Sequence, residues 1–306
     1  MSRRFITAGS ANVDHIIPYS KETKPGIRLG GGAVFSAEGL RLWDDSVALA
    51  VYTGKDFESF YGEWLRNNGI DYSGVVAMTE HTRQVDIIYN KEGTFDTEDH
   101  FPDEYSNYSD KIDRRLLEPC VGSETVGIHI LGTTFPEVIG DISKMCREKS
   151  IKFGVEFEVF DLFGKSGNHE LMKELAGFTD YFSINYYEAE RLFPDVRDYQ
   201  DAIEELLSYG VPCFFRVGTD GAFFLYDSKA YFSPLIDHFG NVDATGCGNS
   251  STSATFWAMC QGYDPITCSY IGAVTGSLNA GSEGLVKKLT PELRKECIGI
   301  VKELIQ

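Results

Sequence analysis

The stretch DATGCGNSS, residues 243–251, decides the reading of the fold. Its small residues from Ala244 to Gly248 let a ligand approach the backbone closely, and VDATGCGNSSTSATFWAMC (242–260) then runs on as a long helix of small and apolar residues. Consecutive N–H groups at a helix N-terminus, helped by the helix dipole, make an anion site. The plainer reading is a glycine-rich turn whose Ser and Thr residues cap the helix. On this stretch alone the two readings carry equal weight. The seventh residue, Asn249, sharpens the question: a phosphoryl-transfer site calls there for a carboxylate able to take a proton, and an amide cannot.

Two further stretches add to it. In SINYYEAERLF (183–193), Asn185 follows a strand and Glu188 falls in the first helical turn, which sets an amide and a carboxylate together at a strand's C-terminal end. Such a pair suits a hydrated magnesium ion and a phosphate, and equally a helix start with an acidic residue on its dipole. FFRVGTDGAFFLY (214–226) reads as a strand, a turn at Gly218–Gly221 and a second strand, by itself a hairpin.

The rest of the chain supplies a rhythm. Strands are expected at 4–9, through 16–17, at 46–54, 125–131, 151–157, 180–184 and 211–217. Helices are expected at 33–43, 56–70, 136–149, 168–176, 186–192, 199–209, 248–261, 264–280 and 290–304. Alternation of this kind gives a mostly parallel sheet with helices on both faces. RQVDIIYNKEGTFDT (83–97) departs from the rhythm: two extended runs flank NKEG, a hairpin signal. The reading is one α/β domain over 1–306 carrying a small β excursion built from about 12–20 and 83–101. The acidic aromatic run FDTEDHFPDEYSNYSD (95–110) reads as a solvated loop beside it.

Composition bounds the partners. With 306 residues, 42% hydrophobic and 24% charged, the chain has apolar material for a full core. A formal net charge of −18 repels phosphate backbones and anionic lipid, which argues against nucleic acid and membrane surfaces while leaving room for a nucleotide held by a local nest of N–H groups. Seven scattered cysteines without CxxC spacing read as reduced residues of a cytoplasmic protein. The opening MSRRFITAGS has no long apolar run behind its basic residues, so no signal peptide is expected, and no stretch is long enough to span a membrane. The six histidines show no ligand spacing.

Taken together, Asn-x-x-Glu, Gly-Thr-Asp-Gly and Asp-Ala-Thr-Gly-x-Gly stand in the order found in the ribokinase-type (PfkB) carbohydrate kinases. GSANVDH (9–15) resembles that family's first strand and sugar-binding turn, GGGAVFSAEGLRLW (30–43) its Gly-Gly segment and helix, and the excursion at 83–101 its β lid. The resemblance covers nearly the whole chain. It implies a ribokinase-like three-layer α/β sandwich with a mostly parallel central sheet and a small β lid, ATP and Mg²⁺ as cofactors, and a sugar-like small molecule as substrate. It implies that Asn12 and Asp14 accept hydrogen bonds from substrate hydroxyls and that Gly31 and Gly32 let the chain close over the sugar. It further implies that Asn185 and Glu188 organise phosphate and, through water, magnesium, and that Gly218, Thr219 and Gly221 run along the nucleotide phosphates with Arg216 as a further contact. Gly246, Cys247 and Gly248 would form the anion hole that stabilises the transferred phosphoryl group. SYIGAVTGSLNAGSEG (269–284) would form part of the adenine pocket, with Asn279 near the base. Asp243 would help hold a monovalent cation, K⁺, as in some members, and a homodimer through the lid is a known family arrangement.

Three departures mark this chain. The family pattern ends in a catalytic Asp where Asn249 stands. Phe35 occupies the place of a sugar-contacting Asn, with Ser36 its polar neighbour. GVEFEVFD (154–161) replaces an Asp-x-Asn-x-Arg pattern, with Glu156 and Glu158 acidic and no Arg following. These features resemble a divergent branch in which Asn likewise closes the glycine turn. Cys247 reads as a small filler of that turn. The leading expectation is an ATP-dependent phosphotransferase acting on a hydroxyl of a sugar or sugar-like molecule, slowed by the loss of a base worth about 10²–10⁴ in rate. A catalytically inactive relative that binds nucleotide or sugar as a sensor is the alternative. A structural module without nucleotide is the third reading.

Overall fold

Most of the parallel strands form where short apolar runs are bounded by turns, and four of them, Val47–Gly54, Thr125–Leu131, Lys152–Glu156 and Tyr181–Asn185, are each followed by a helix that covers the sheet. The computed structural model describes residues 3–19, 25–91, 95–105, 112–132, 135–157 and 169–306. Its first part runs β1 (Arg4–Ala8), β2 (Asn12–Ile17), β3 (Gly26–Gly30), α1 (Gly32–Trp43), β4 (Val47–Gly54), α2 (Phe57–Asn67), β5 (Asp71–Thr79), β6 (Arg83–Tyr89) and β7 (Phe95–Asp99). Two single-turn helices follow, α3 (Pro102–Tyr105) and α4 (Arg114–Leu117), then β8 (Thr125–Leu131), α5 (Pro136–Glu148), β9 (Lys152–Glu156) and α6 (His169–Gly177). The last part is β10 (Tyr181–Asn185), α7 (Tyr186–Leu192), α8 (Tyr199–Leu207), β11 (Cys213–Arg216), β12 (Ala222–Tyr226), β13 (Lys229–Ser233), α9 (Cys247–Gln261), α10 (Pro265–Ala280) and α11 (Pro291–Ile305).

Among the described residues the large sheet has nine strands in the order β13-β12-β11-β10-β9-β8-β1-β4-β5. It is parallel from β11 to β5, and β12 and β13 close one edge antiparallel. One core, on the side of α1, α9, α10 and α11, centres on Phe5, Phe214, Phe224 and Phe256. The opposite core, under α5 to α8, is built from Ile128, Ile130, Phe153, Phe182 and Phe215. This is the expected α/β sandwich.

The small sheet has the order β3-β2-β6-β7, with β2 parallel to β6 and the other pairs antiparallel. The excursion is therefore wider than 12–20 and 83–101: β3 joins it, and its end, Gly30, runs straight into α1. The β6–β7 pair matches the expected hairpin, while residues 92–94 of its turn lie outside the described residues. The run expected as a solvated loop supplies β7 and α3 before 106–110 leave the described part.

The functional consequence is positional. In an open parallel sheet, ligands bind beyond the carboxyl ends of the strands. Asn12 follows β1, Glu156 ends β9, Asn185 ends β10 and Arg216 ends β11, so the chemistry-bearing residues of distant segments meet along one rim.

Candidate active site

The glycine turn is held by two close approaches. Gly246, the residue before α9, has φ 82°, in the left-handed region that favours glycine. A Cβ there would overlap the ring of Phe35, which lies beneath it on α1. A Cβ on Gly248 would overlap the Arg216 guanidinium. No side chain caps α9. Gly246 C=O accepts the Ser250 N–H at 2.9 Å and Ala244 C=O accepts the Cys247 N–H at 3.2 Å, but among the described residues the N–H groups of Gly248 and Asn249 have no acceptor. Two donors at a helix start, backed by the helix dipole, are thus left for a ligand.

Gly248 lines a cavity of about 480 Å³. One wall is Asn185, Arg216, Gly218, Thr219 and Gly221; another is the segment from Pro234 to Asp237 with Gly240 and Asn241; the floor is Ala244, Cys247 and Gly248. The remaining side is a stripe of small residues on α10, Gly272, Ala273, Gly276, Ser277 and Ala280, whose spacing keeps one helix face low enough for a planar group to lie on it. Burial raises the Cys247 thiol to about 12, so it fills space here and is no nucleophile.

Arg216 is fixed from behind. Its Nη2 lies 2.8 Å from Glu156 Oε1, and the Glu156 side chain is only 4% exposed. Burial works against the charge on Arg216, but Glu156 and Glu188 outweigh it and hold the guanidinium protonated. Arg216 Nε and Glu156 Oε2 remain buried without partners. Asn185 and Glu188 form a reciprocal cap on α7: the Glu188 N–H donates to Asn185 Oδ1 at 2.9 Å, and the Asn185 N–H donates to Glu188 Oε2 at 2.8 Å. Glu158 lies outside the described residues.

The small sheet supplies the other side. Asp14 packs against Gly30, and Asn249 Nδ2 lies 3.6 Å from where a Cβ on Gly32 would stand, so the glycines at 30–32 separate the Asp14 carboxylate from the Asn249 amide. Gly31 precedes α1, and the Gly32 N–H donates to Ser10 Oγ at 3.2 Å. Asn12 Oδ1 is buried without a partner. Burial raises Asp14 to about 6; Arg83 and Arg28 pull it back and Asp243 pushes it up. Tyr61, fully buried, donates its hydroxyl hydrogen bond to the carbonyls of Asn12 and Gly30 and so pins β2 and β3 together over α2.

The structure places three expected site residues differently. Phe35 is 2% exposed, and its ring packs under Gly246, so it supports the turn. Asn279 is fully buried and does not line the cavity; its Nδ2 donates to Glu38 Oε1 at 2.9 Å. Glu38, raised to about 7 by burial against the pull of the Val286 N–H and Asn279, ties α1 to the segment after α10. Asp243 is already occupied: Oδ2 accepts from Arg28 Nη1 at 2.7 Å and from the Gly284 N–H at 3.3 Å, and Oδ1 from the Thr245 N–H at 3.0 Å. A carboxylate so engaged does not fit a bound monovalent cation. Arg28, Glu38 and Tyr61 were not expected from the sequence. Among the described residues no cluster of three or more His, Cys, Asp or Glu residues could hold a metal by itself, and no helix is long and apolar enough to cross a membrane.

The model of the pfkB family carbohydrate kinases matches residues 3–292. The chain belongs to that family. Its members are phosphotransferases with an alcohol group as acceptor, so the two open N–H groups of α9 lie in a kinase fold. The chain is 24% identical, over 293 residues and 90% of each chain, to a nucleoside kinase of Methanocaldococcus jannaschii. It is similar in fold to the ribokinase of Arabidopsis thaliana complexed with ribose and ATP, at TM-score 0.76, 16% identity and 99% coverage of both chains. A nucleoside kinase of Burkholderia thailandensis in complex with inosine superposes at TM-score 0.74 with 15% identity, covering 98% of this chain and 96% of that one.

Proposed function

We propose that this pfkB-family protein is an ATP-dependent kinase that phosphorylates a hydroxyl of a sugar or nucleoside, and that it does so without a carboxylate at the glycine turn. The observation that carries the reading is the pair of acceptor-free N–H groups at the start of α9, on Gly248 and Asn249, with Gly248 lining the cavity against the Arg216 guanidinium that Glu156 anchors. Donors fixed where charge develops need no reorganisation as the reaction proceeds. Two of the similar proteins are nucleoside kinases, which favours an acceptor carrying a ribose ring.

In this reading the nucleotide lies in the cavity, its adenine on the small-residue face of α10 and its phosphates along Thr219 and Gly221. Arg216 and the turn N–H groups hold the γ-phosphoryl. Magnesium, held through water by the oxygen donors of Asn185 and Glu188, would neutralise phosphate charge. The acceptor is held by Asn12 and Asp14 under the small sheet, with Asn249 orienting the reacting hydroxyl. The acceptor oxygen bonds to the γ-phosphorus, the bond to the ADP oxygen breaks, and the hydroxyl proton leaves late to a phosphoryl oxygen or to solvent. A loose transition state tolerates this, because little charge builds on the acceptor before the leaving group has gone.

The test is phosphotransfer from MgATP to a panel of pentoses, hexoses and nucleosides. Turnover is expected with at least one of them. Asn249→Asp supplies the missing base and is expected to raise kcat by about 10² or more. If neither the protein nor this variant turns over any acceptor, and MgATP leaves the melting temperature unchanged, the reading fails.

A further inference from the structure

We infer that Arg28 stands where a monovalent cation would serve the glycine turn, so that this protein works without one. The inference rests on the kinase reading only for its activity arm. Asp243 opens the turn, and its side chain is 11% exposed. All of the donors on it come from the protein: the Thr245 N–H on one oxygen, Arg28 and the Gly284 N–H on the other. Arg28 is held at both ends of its fork, with Nη1 on Asp243 at 2.7 Å and Nη2 on Glu283 at 2.8 Å. Its stem lies along Gly284, where the backbone is left-handed at φ 68° and a Cβ would come within 3.8 Å of it.

The guanidinium is therefore a fixed charge. It neutralises the carboxylate nearest the turn, a task that a bound cation would otherwise perform, and it repels any cation that approaches the same oxygen. Arg28 also sits directly across from Asp14 in the β2–β3 ladder, where cross-strand neighbours share a face. Arg28 thus ties β3, the neighbour of the strand that carries the proposed acceptor carboxylate, to the segment that begins the proposed phosphoryl site. A bare ion at Asp243 would leave β3 without that tie to the turn. Glu283 is the exposed end of the arrangement, with its side chain 71% exposed, and Asp243 the buried end, so the second ion pair orients Arg28 and the first carries the charge compensation.

The experiment compares potassium, sodium and tetramethylammonium chloride at one ionic strength, reading both melting temperature and phosphotransfer. The protein as it stands is expected to give the same melting temperature within about 1 °C and the same rate within about twofold in all three salts. Arg28→Ala exposes Asp243 to the solvent ions. It is expected to lose at least tenfold in rate in tetramethylammonium, to recover at least fivefold with potassium, and to melt several degrees higher in potassium than in tetramethylammonium. Arg28→Lys, which keeps a charge on a shorter stem, is expected to fall between the two, and it replaces the alanine variant if that one does not fold. Activation of the unaltered protein by potassium of fivefold or more over tetramethylammonium overturns the inference. So does an Arg28→Ala protein, or its lysine replacement, indifferent to the identity of the salt in both readouts. The melting arm needs no turnover: if no phosphotransfer appears in any salt, which counts against the kinase reading, the salt dependence of melting still decides the role of Arg28.

Discussion

Asp14→Asn should make the protein more stable and less active, and the gain should depend on pH. Burial raises the Asp14 carboxyl from 3.8 to about 6 even though Arg83 and Arg28 favour its charged form. The folded protein therefore holds an ionised carboxylate against its preference. A rise of about two units, at about 1.4 kcal/mol each, amounts to about 3 kcal/mol lost at neutral pH. Below about pH 3.8 the carboxyl is neutral whether the chain is folded or unfolded, and nothing is lost. The penalty grows between 3.8 and about 6 and is complete above that. An amide of the same shape escapes it. At pH 8, Asp14→Asn should stabilise the chain by about 3 kcal/mol, which is about 5 °C for a protein of this length. At pH 4.5 the difference should fall to about 1 kcal/mol or less. Thermal melting across pH 4.5–8 measures this. The same change removes a charged acceptor from the proposed substrate site, where hydrogen bonds to charged groups are worth about 1.5–3 kcal/mol, so kcat/KM should fall about 10- to 100-fold. The acidic limb of the kcat/KM profile near pH 6 should vanish with it. A variant that is less stable at pH 8 than at pH 4.5, or a stability difference that does not change with pH, would refute the argument, because the carboxylate would then be favoured by its surroundings.

Two further outcomes follow from the turn and from the ion pair behind it. Arg216→Met strands Glu156 as a buried unpaired charge and should cost about 3–5 kcal/mol, whereas Arg216→Met with Glu156→Met should recover most of that stability in denaturant titration and none of the phosphotransfer. A double variant no more stable than the single one would contradict the pairing. Gly246→Ala adds about 1–3 kcal/mol of left-handed backbone strain to the overlap with Phe35, so it should destabilise by more than either source alone. Phe35→Ala should relieve the overlap, giving a coupling of about 1–3 kcal/mol in a double-mutant cycle. Strict additivity would mean that the ring and the turn do not meet.

What the sequence shows and what it hides divide along the range of the interactions. β1, β4, β8 to β11 and α9 to α11 were legible because each announces itself locally, as an apolar run or a helical period between turn residues. β3, β5 and β13 were not. GIRLG is five residues between glycines, and β5 and β13 are edge strands most of whose residues are half-buried or exposed, so their apolar signal is weak. The same limit acts in the site. The Asn185–Glu188 cap spans three residues and is visible as a spacing. Arg28 meets Asp243 across 215 residues and Asn279 meets Glu38 across 241, and neither pair leaves a pattern along the chain. Phe35 reads as an altered sugar contact until the turn is seen to lie on its ring.

Under the proposed function, two arginines bear on how a chain of net charge −18 would hold an anion. Arg216 approaches Gly248 from the strand side, anchored on Glu156, and Arg28 approaches Asp243 from the small sheet, anchored on Asp243 and Glu283. Each guanidinium is held by carboxylates on the side away from the helix start or at its entrance, so the protein's own acidity fixes its positive charges in place. A global field of one sign sets the long-range approach of a ligand, and salt screens it within about 10 Å. Inside the cavity the nearest charges decide, and there the donors of α9, its dipole and Arg216 are all positive. Asn249 fits that balance. In the proposed reaction, an ionised Asp at the same place would stand next to the N–H groups that would meet the phosphoryl group, and with Asp14, Asp243, Glu156 and Glu188 already along the rim, an uncharged amide would spare the turn a further carboxylate while orienting the hydroxyl. Under the proposed function, a slower proton transfer and a stronger anion site would be two consequences of the same amide.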